Sequence, residues 1–362
     1  MTRSTGSARG PLADLRVIEL AGLGPCPLAG QLLADLGADV VVIDRKPAPA
    51  DPADVNRRGK RSVVLDLKSA DGREALMRLA ERSDALIESY RPGVMERLGL
   101  GPDAVHARAP RLVYGRMTGW GQDGPLAPTA GHDIGYLALT GALHAMGPPD
   151  RPRAPFNLAA DYAGGTMFLI LGVLAALWER QASGRGQVVD AAMVDGVPAL
   201  MGLVHSMLAR GEWRDEREAN LLDGGAPFYR TYRCSDGRFV AVGPLEPQFF
   251  AVLCEGLGIK MEQRDVAAWP DHHRRLEAIF ATRTRDEWAA VFEGSDACLA
   301  PVLTLREAPD HPHMKARGTF RAPGGVVQAA PAPRFDRTPA PEPEPPRAHG
   351  SDTQEVLQEL GL

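Results

Sequence analysis

Between Arg16 and Met117 the chain alternates short β-branched runs with helical patterns, and few architectures accept that order. Arg16-Val17-Ile18-Glu19-Leu20 reads as a strand, residues 28–36 as a helix, and Val40-Val41-Val42-Ile43 as a second strand. Two strands joined through one helix pair in parallel, because the crossover returns the chain to the same end of the sheet. The pattern repeats in a strand over 62–67, a helix over 72–82, and strands at Ala85-Leu86-Ile87-Glu88 and over 112–117. A parallel sheet needs both faces covered, so the expected class is α/β, a Rossmann-like doubly wound large domain.

The length of 362 residues favours about two domains, and 44% hydrophobic residues suffice for a buried core. Residues 162–181 and 190–210 read as two long, buried core helices. Beyond Gly224-Gly225-Ala226-Pro227 the character changes: residues 229–242 read as a β-hairpin turning at Ser235-Asp236-Gly237, and 273–292 as helical. The expected division is a large domain over 1–200, a linker over 201–225 and a small α+β domain over 226–318. A Pro-rich extended return over 319–362 would end in a helix packed on the large domain.

The formal charge of −5, from 41 basic and 46 acidic residues without a long basic run, argues against a nucleic-acid partner. The longest apolar run, 167–178, is short of the ~20 residues of a membrane span. Cys26, Cys234, Cys254 and Cys298 form no CxxC pair and fit a reducing compartment. Residues 1–10 are polar with no apolar signal core, and the chain ends in Glu-Leu-Gly-Leu. The expected location is the cytoplasm. His272-His273 and His311-Pro312-His313 lack Cys or acidic partners at a recognised spacing, so no metal is expected.

Gly22-Leu23-Gly24-Pro25-Cys26-Pro27 has the start of a dinucleotide fingerprint, with Asp44 about 20 residues on, where a ribose ligand would stand. Pro27 replaces the third glycine and Pro25 removes an N–H, which favours a plain strand-to-helix turn. Arg45, Arg57, Arg58, Lys60, Arg61, Lys68, Arg91 and Arg97 fall near strand ends, where open α/β sheets bind ligands, and together suit several phosphates. His132, in Gly131-His132-Asp133, and Asp161, before a long helix, are side chains suited to moving protons near neutral pH. Asp161 also reads as an N-cap, and the amides behind it as donors to an oxyanion. Glu246 stands between prolines in Leu245-Glu246-Pro247, a rigid setting for an acid.

Taken together, Tyr90-Arg91-Pro92-Gly93-Val94, Met117-Thr118-Gly119-Trp120-Gly121-Gln122, Gly131-His132-Asp133-Ile134, Asn157-Leu158-Ala159-Ala160-Asp161, Asp223-Gly224-Gly225-Ala226-Pro227 and Ser295-Asp296-Ala297-Cys298 resemble the family III CoA-transferases (CaiB/BaiF). Within that superfamily the chain is similar to the α-methylacyl-CoA racemases over nearly its whole length. The resemblance implies an interlocked homodimer whose active site lies between the large domain of one subunit and the small domain of the other. It implies His132 and Asp161 as acid and base, with Glu246 as the partner of the histidine. It also implies CoA contacts from Arg45, Lys68, Arg91 and Arg97, adenine near Leu65 and Leu67, and pantetheine beside Asp133 and Tyr136. Val42, Cys26 and Gly135 depart from the pattern, where relatives often carry a basic residue, glycine and asparagine.

The implied reaction is inversion of the α-carbon of a 2-methylacyl-CoA thioester: one group removes the proton and another returns one on the opposite face. No cofactor is expected, CoA being part of the substrate. The alternative is CoA transfer between carboxylic acids through an aspartyl-CoA intermediate at Asp161. His132 and Glu246 have no evident duty in that exchange, and the chain has no run of three glycines to cover such an intermediate. A non-catalytic CoA- or dinucleotide-binding protein ranks last, because the three acid–base positions are filled.

Overall fold

A computed structural model describes residues 9–362; the expectation for the N-terminal stretch falls almost wholly outside the described residues. Strand β1 (Arg16–Leu20) leads through α1 (Pro25–Asp35) to β2 (Asp39–Asp44) and β3 (Arg61–Val64). Helix α2 (Ala70–Glu81), β4 (Ala85–Glu88), the short α3 (Val94–Arg97) and α4 (Pro102–Arg108), and β5 (Val113–Thr118) follow. Then α5 (Asp133–Leu139), a π-helix (Leu158–Thr166) and α6 (Met167–Ser183) precede β6 (Val188–Ala192). The six strands form one parallel sheet in the order β3-β2-β1-β4-β5-β6.

Period-two burial explains why both faces carry helices. Ile18, Leu20, Val41, Ile43, Leu86 and Tyr114 point to one side and share a core with α2, α4 and the C-terminal helix Thr353–Leu360, which contributes Val356 and Leu360. Val17, Val42 and Ile87 are buried on the other side, where Leu169 and Val173 of α6 lie over Gly115 of β5. The strand order reverses between β1 and β4, so a crevice opens beyond their carboxyl ends.

The helix expected over 190–210 is three elements. Val188–Ala192 pairs with Tyr114–Thr118 as β6, and α7 (Met193–Leu200) ends before α8 (Gly202–Ala209). Long-range pairing overrides the local pattern, and Pro198 inside α7 lacks the N–H that a longer helix needs. Nor are these helices wholly buried: α6 buries Leu169, Val173, Ala176 and Leu177 but exposes Met167, Leu171 and Trp178, the last 76% accessible, and α8 buries nothing. The continuous helical segment Leu158–Ser183 is 26 residues, long and apolar enough for a membrane span by length and composition, with one side on the sheet and the other uncovered.

Residues up to 140, 155–200 and 313–362 form one compact unit, and 141–154 with 201–312 a second. Thus 141–154, placed with 1–200 on the sequence, group with the smaller unit, and 201–225 are part of that unit. There β7 (Arg230–Arg233) and β8 (Phe239–Val242) make the hairpin, closed by the Cys234 N–H donating to the Arg238 carbonyl at 2.8 Å. Helices α9 (Pro247–Gly256), α10 (Trp269–Phe280) and α11 (Arg285–Val291) follow, and β9 (Leu299–Pro301) joins β8. The helix expected over 273–292 is split because Thr284 and Glu287 form a capping box that starts α11. Tyr232 stacks on Phe280 at 5.0 Å in the core of this unit.

Candidate active site

The turn from β1 to α1, Arg45 after β2, the loop after β4 and the loop after β5 converge on a cleft of about 650 Å³ in the first unit. It lies at the reversal of strand order. His132, Tyr136 and Asp161 line it, with Arg45 and Arg91.

Beyond β5, two glycines seat the ring of Tyr136. A Cβ on Gly119 would stand 1.9 Å from its Cζ, and one on Gly131 2.5 Å from its Cε1, so both positions exclude side chains. Trp120 meets the ring edge-on at 4.7 Å. The wedge fixes the first turn of α5, at whose N-cap the exposed His132 adopts extended backbone (φ −140°, ψ 168°). Burial, with the nearby Asp161 charge adding, pushes the Tyr136 hydroxyl above its usual range.

Asp161 is not an N-cap. It lies inside the π-helix, a rare wide turn that recurs at functional sites. Burial raises its pKa above the ordinary aspartate value; the Asn157 side-chain amide, donating at 3.4 Å, opposes this, Asp133 reinforces it, and His132 opposes it. Near the start of this helix the amides of Ala160 and Asp161 are not free: both donate to Asp133 Oδ2, at 2.8 and 2.9 Å. Asp133 itself is 6% accessible and is not part of the cleft lining.

The basic residues divide sharply. Arg45 lies over the Tyr90 ring at 5.7 Å and, like Arg91, faces the cleft. Four others are consumed in ion pairs: Arg57 with Asp44 at 2.5 Å, Arg58 with Asp35 at 2.6 Å, Lys60 with Glu19 at 2.5 Å and Arg61 with Asp39 at 2.6 Å. Asp44 therefore has no carboxylate to offer a ribose. Lys68 and Arg97 are exposed and lie outside the cleft lining; Leu65 is buried in the sheet core, with Leu67 packed against it. Val42 and Cys26 are buried as well, so these two departures are packing residues here.

Glu88, not singled out on the sequence, sits at the end of β4 beneath the loop that carries Arg91. Its Oε2 accepts the Tyr90 N–H at 2.6 Å and its Oε1 accepts from Arg116 at 3.0 Å. An acidic residue closing an otherwise apolar strand was the available signal. In the second unit Glu246 is exposed at the N-cap position of α9, and its charge contributes to a raised Cys298 pKa, after burial. His273 is held by the Gly225 carbonyl at 2.8 Å and by Arg230. Among the described residues no group of three or more His, Cys, Asp or Glu is placed to hold a metal.

Residues 12–353 match CoA-transferase family III. The chain belongs to this family. Two relatives of this family III chain are the α-methylacyl-CoA racemases of Homo sapiens, 45% identical over 97% of this chain and 94% of that one, and of Mus musculus, 44% identical over 97% and 93%. Among solved structures, a CaiB/BaiF family protein from Brucella suis superposes with a TM-score of 0.83 at 27% identity, covering 97% of this family III chain and all of that one.

Proposed function

We propose that the protein is a racemase that inverts the α-carbon of 2-methylacyl-CoA thioesters by proton transfer through an enolate. The observation that carries this reading is the pairing of His132 and Asp161 in one cleft at the sheet's switch point, in a chain similar to named racemases over nearly its full length. A thioester acidifies its α-proton, so one of the two groups takes that proton and the other returns one to the opposite face, with the roles exchanging between epimers. Asp161, partly desolvated and with its proton affinity raised, suits a base that must also act as an acid. Arg45 and Arg91 supply positive charge to the phosphates of CoA through charge-assisted hydrogen bonds. No cofactor is drawn on, because CoA arrives with the substrate.

Glu246 is assigned to orient the imidazole from another copy of the chain in a homodimer. The uncovered apolar side of α6, with Leu171 and Trp178, supports a second copy rather than a lipid surface as its cover. The four unpaired cysteines support a cytoplasmic location.

Family membership favours one second reading, CoA transfer through a thioester on Asp161. Proton NMR of a 2-methylacyl-CoA in D₂O, with chiral analysis of the recovered acid, separates the two. Loss of the α-proton signal with inversion supports the racemase. Retention of that signal, with CoA moving to an added free acid and labelling the protein, establishes the transferase and refutes the racemase.

A further inference from the structure

We infer that Asp133 is a positioning residue: its buried carboxylate fixes Asp161 against His132 and places a fixed negative charge beside it. The inference rests on the racemase reading for the identity of the two proton carriers. Its geometry stands independently of that reading.

Asp133 follows His132 in the chain and opens α5. Its Oδ2 takes the N–H groups of Ala160 and Asp161, 27 and 28 positions further along, near the start of the π-helix, where backbone donors have no partner within the helix. One peptide bond and one pair of hydrogen bonds therefore connect His132 to Asp161. Since misplacement by about 1 Å can cost about a hundredfold in rate, such a link bears directly on turnover.

The carboxylate does more than hold two amides. Its Oδ1 is buried with no hydrogen-bond partner, and among the described residues no cationic side chain pairs with it. An amide oxygen could accept the same two bonds; the charge is what the carboxylate adds. That charge acts on Asp161, whose proton affinity it increases. The other polar or charged groups near Asp161 are His132 and Tyr136 from the α5 region and Asn157 from its own segment, with Arg45 and Arg91 lining the same cleft. The α1 and α7 residues lining the cleft with it, Pro25 and Met193, carry no charge. Asp133 thus has a duty distinct from the pantetheine contact that the resemblance implied.

The test compares Asp133→Asn, which keeps an acceptor oxygen and removes the charge, with Asp133→Ala, which removes both. For Asp133→Asn the acid limb of the kcat/KM profile for α-proton exchange should move to lower pH by about one unit, with KM little changed. For Asp133→Ala kcat should fall about a hundredfold while KM stays within a few-fold. An unmoved acid limb in Asp133→Asn overturns the electrostatic role. Wild-type kcat in Asp133→Ala, or a rise in KM alone, overturns the positioning role. Carbon-13 NMR titration of the Asp161 carboxyl, assigned with Asp161→Asn, reads the same shift without turnover. If the wild-type protein exchanges no α-proton, the racemase reading fails while this titration still decides the inference. Asp133→Asn preserves the hydrogen bonds and keeps the test open should Asp133→Ala not fold.

Discussion

Replacing Gly119 with alanine tests whether Tyr136 is wedged in the wall of the cleft. The new methyl would stand 1.9 Å from Cζ, 2.1 Å from Cε1 and 2.3 Å from the hydroxyl oxygen, whereas carbon atoms in contact settle at about 3.5–4.0 Å. The ring must therefore retreat by roughly 1.5–2 Å. Toward Gly131 there is no space, because that backbone already lies against Cε1, and Trp120 closes a further side at 4.7 Å. The remaining direction is the cleft that Tyr136 lines. Overpacking of this kind costs about 1–3 kcal/mol, and the displaced ring takes up ligand volume. Urea denaturation and α-proton exchange kinetics should register both effects, a lower midpoint and a reduced kcat/KM. In the double variant Gly119→Ala/Tyr136→Leu the clash is gone, so stability should be higher than the two single losses summed. A Gly119→Ala protein with wild-type stability and kinetics would refute the wedge, and strictly additive losses would place the damage elsewhere.

Three other outcomes are expected. Lys60→Met strands the buried Glu19 carboxylate, which Lys60 holds at 2.5 Å, and should cost roughly 3–5 kcal/mol in chemical denaturation; Glu19→Gln/Lys60→Met should recover most of it, and a single variant within 1 kcal/mol of wild type would contradict the pairing. Burial pushes the Glu88 carboxyl up from 4.5 to about 7 against the opposing Tyr90 amide and Arg116, so its contribution to stability is full below pH 4.5 and lost as the pH rises through about 7. At 1.36 kcal/mol for each pH unit, the rise from 4.5 to about 7 is worth roughly 3 kcal/mol, and Glu88→Gln should flatten the fall of Tm across that window relative to wild type; parallel profiles would exclude the raised value. Leu360→Ala, at a side chain 3% accessible in the C-terminal helix, should destabilise the first unit by roughly 2–5 kcal/mol, and unchanged unfolding would mean that this helix does not complete the core.

The sheet was legible where strand and helix periods alternate over short distances, as between Val17 and Ile87. It was not legible at Val188–Ala192, whose pattern runs into the following helix and whose strand identity comes from β5, about 70 residues earlier. Proximity to strand ends singled out eight basic residues without showing that Arg57, Arg58, Lys60 and Arg61 answer to carboxylates brought in by the fold. His132 and Asp161 stood out from their chemistry and flanking residues, and the fold brings both to one cleft. The mode of holding Asp161 could not be read, since a π-helix has no residue signature and its donors are met by a side chain from another element. Gly119 and Gly131 were visible as letters; only the ring of Tyr136 explains them.

The wide turn at Leu158–Thr166 makes the chain unequally tolerant of different kinds of genetic change. Substitutions along its outer side leave the spacing of the backbone intact. Deleting one residue between Asp161 and Met167 would let the segment close into ordinary α-helix, and everything before the deletion would rotate about 100° around the axis of α6. Asp161 would then turn away from His132 although every other side chain of the cleft survived. On the outer side of this segment a changed residue is therefore far better tolerated than a changed length.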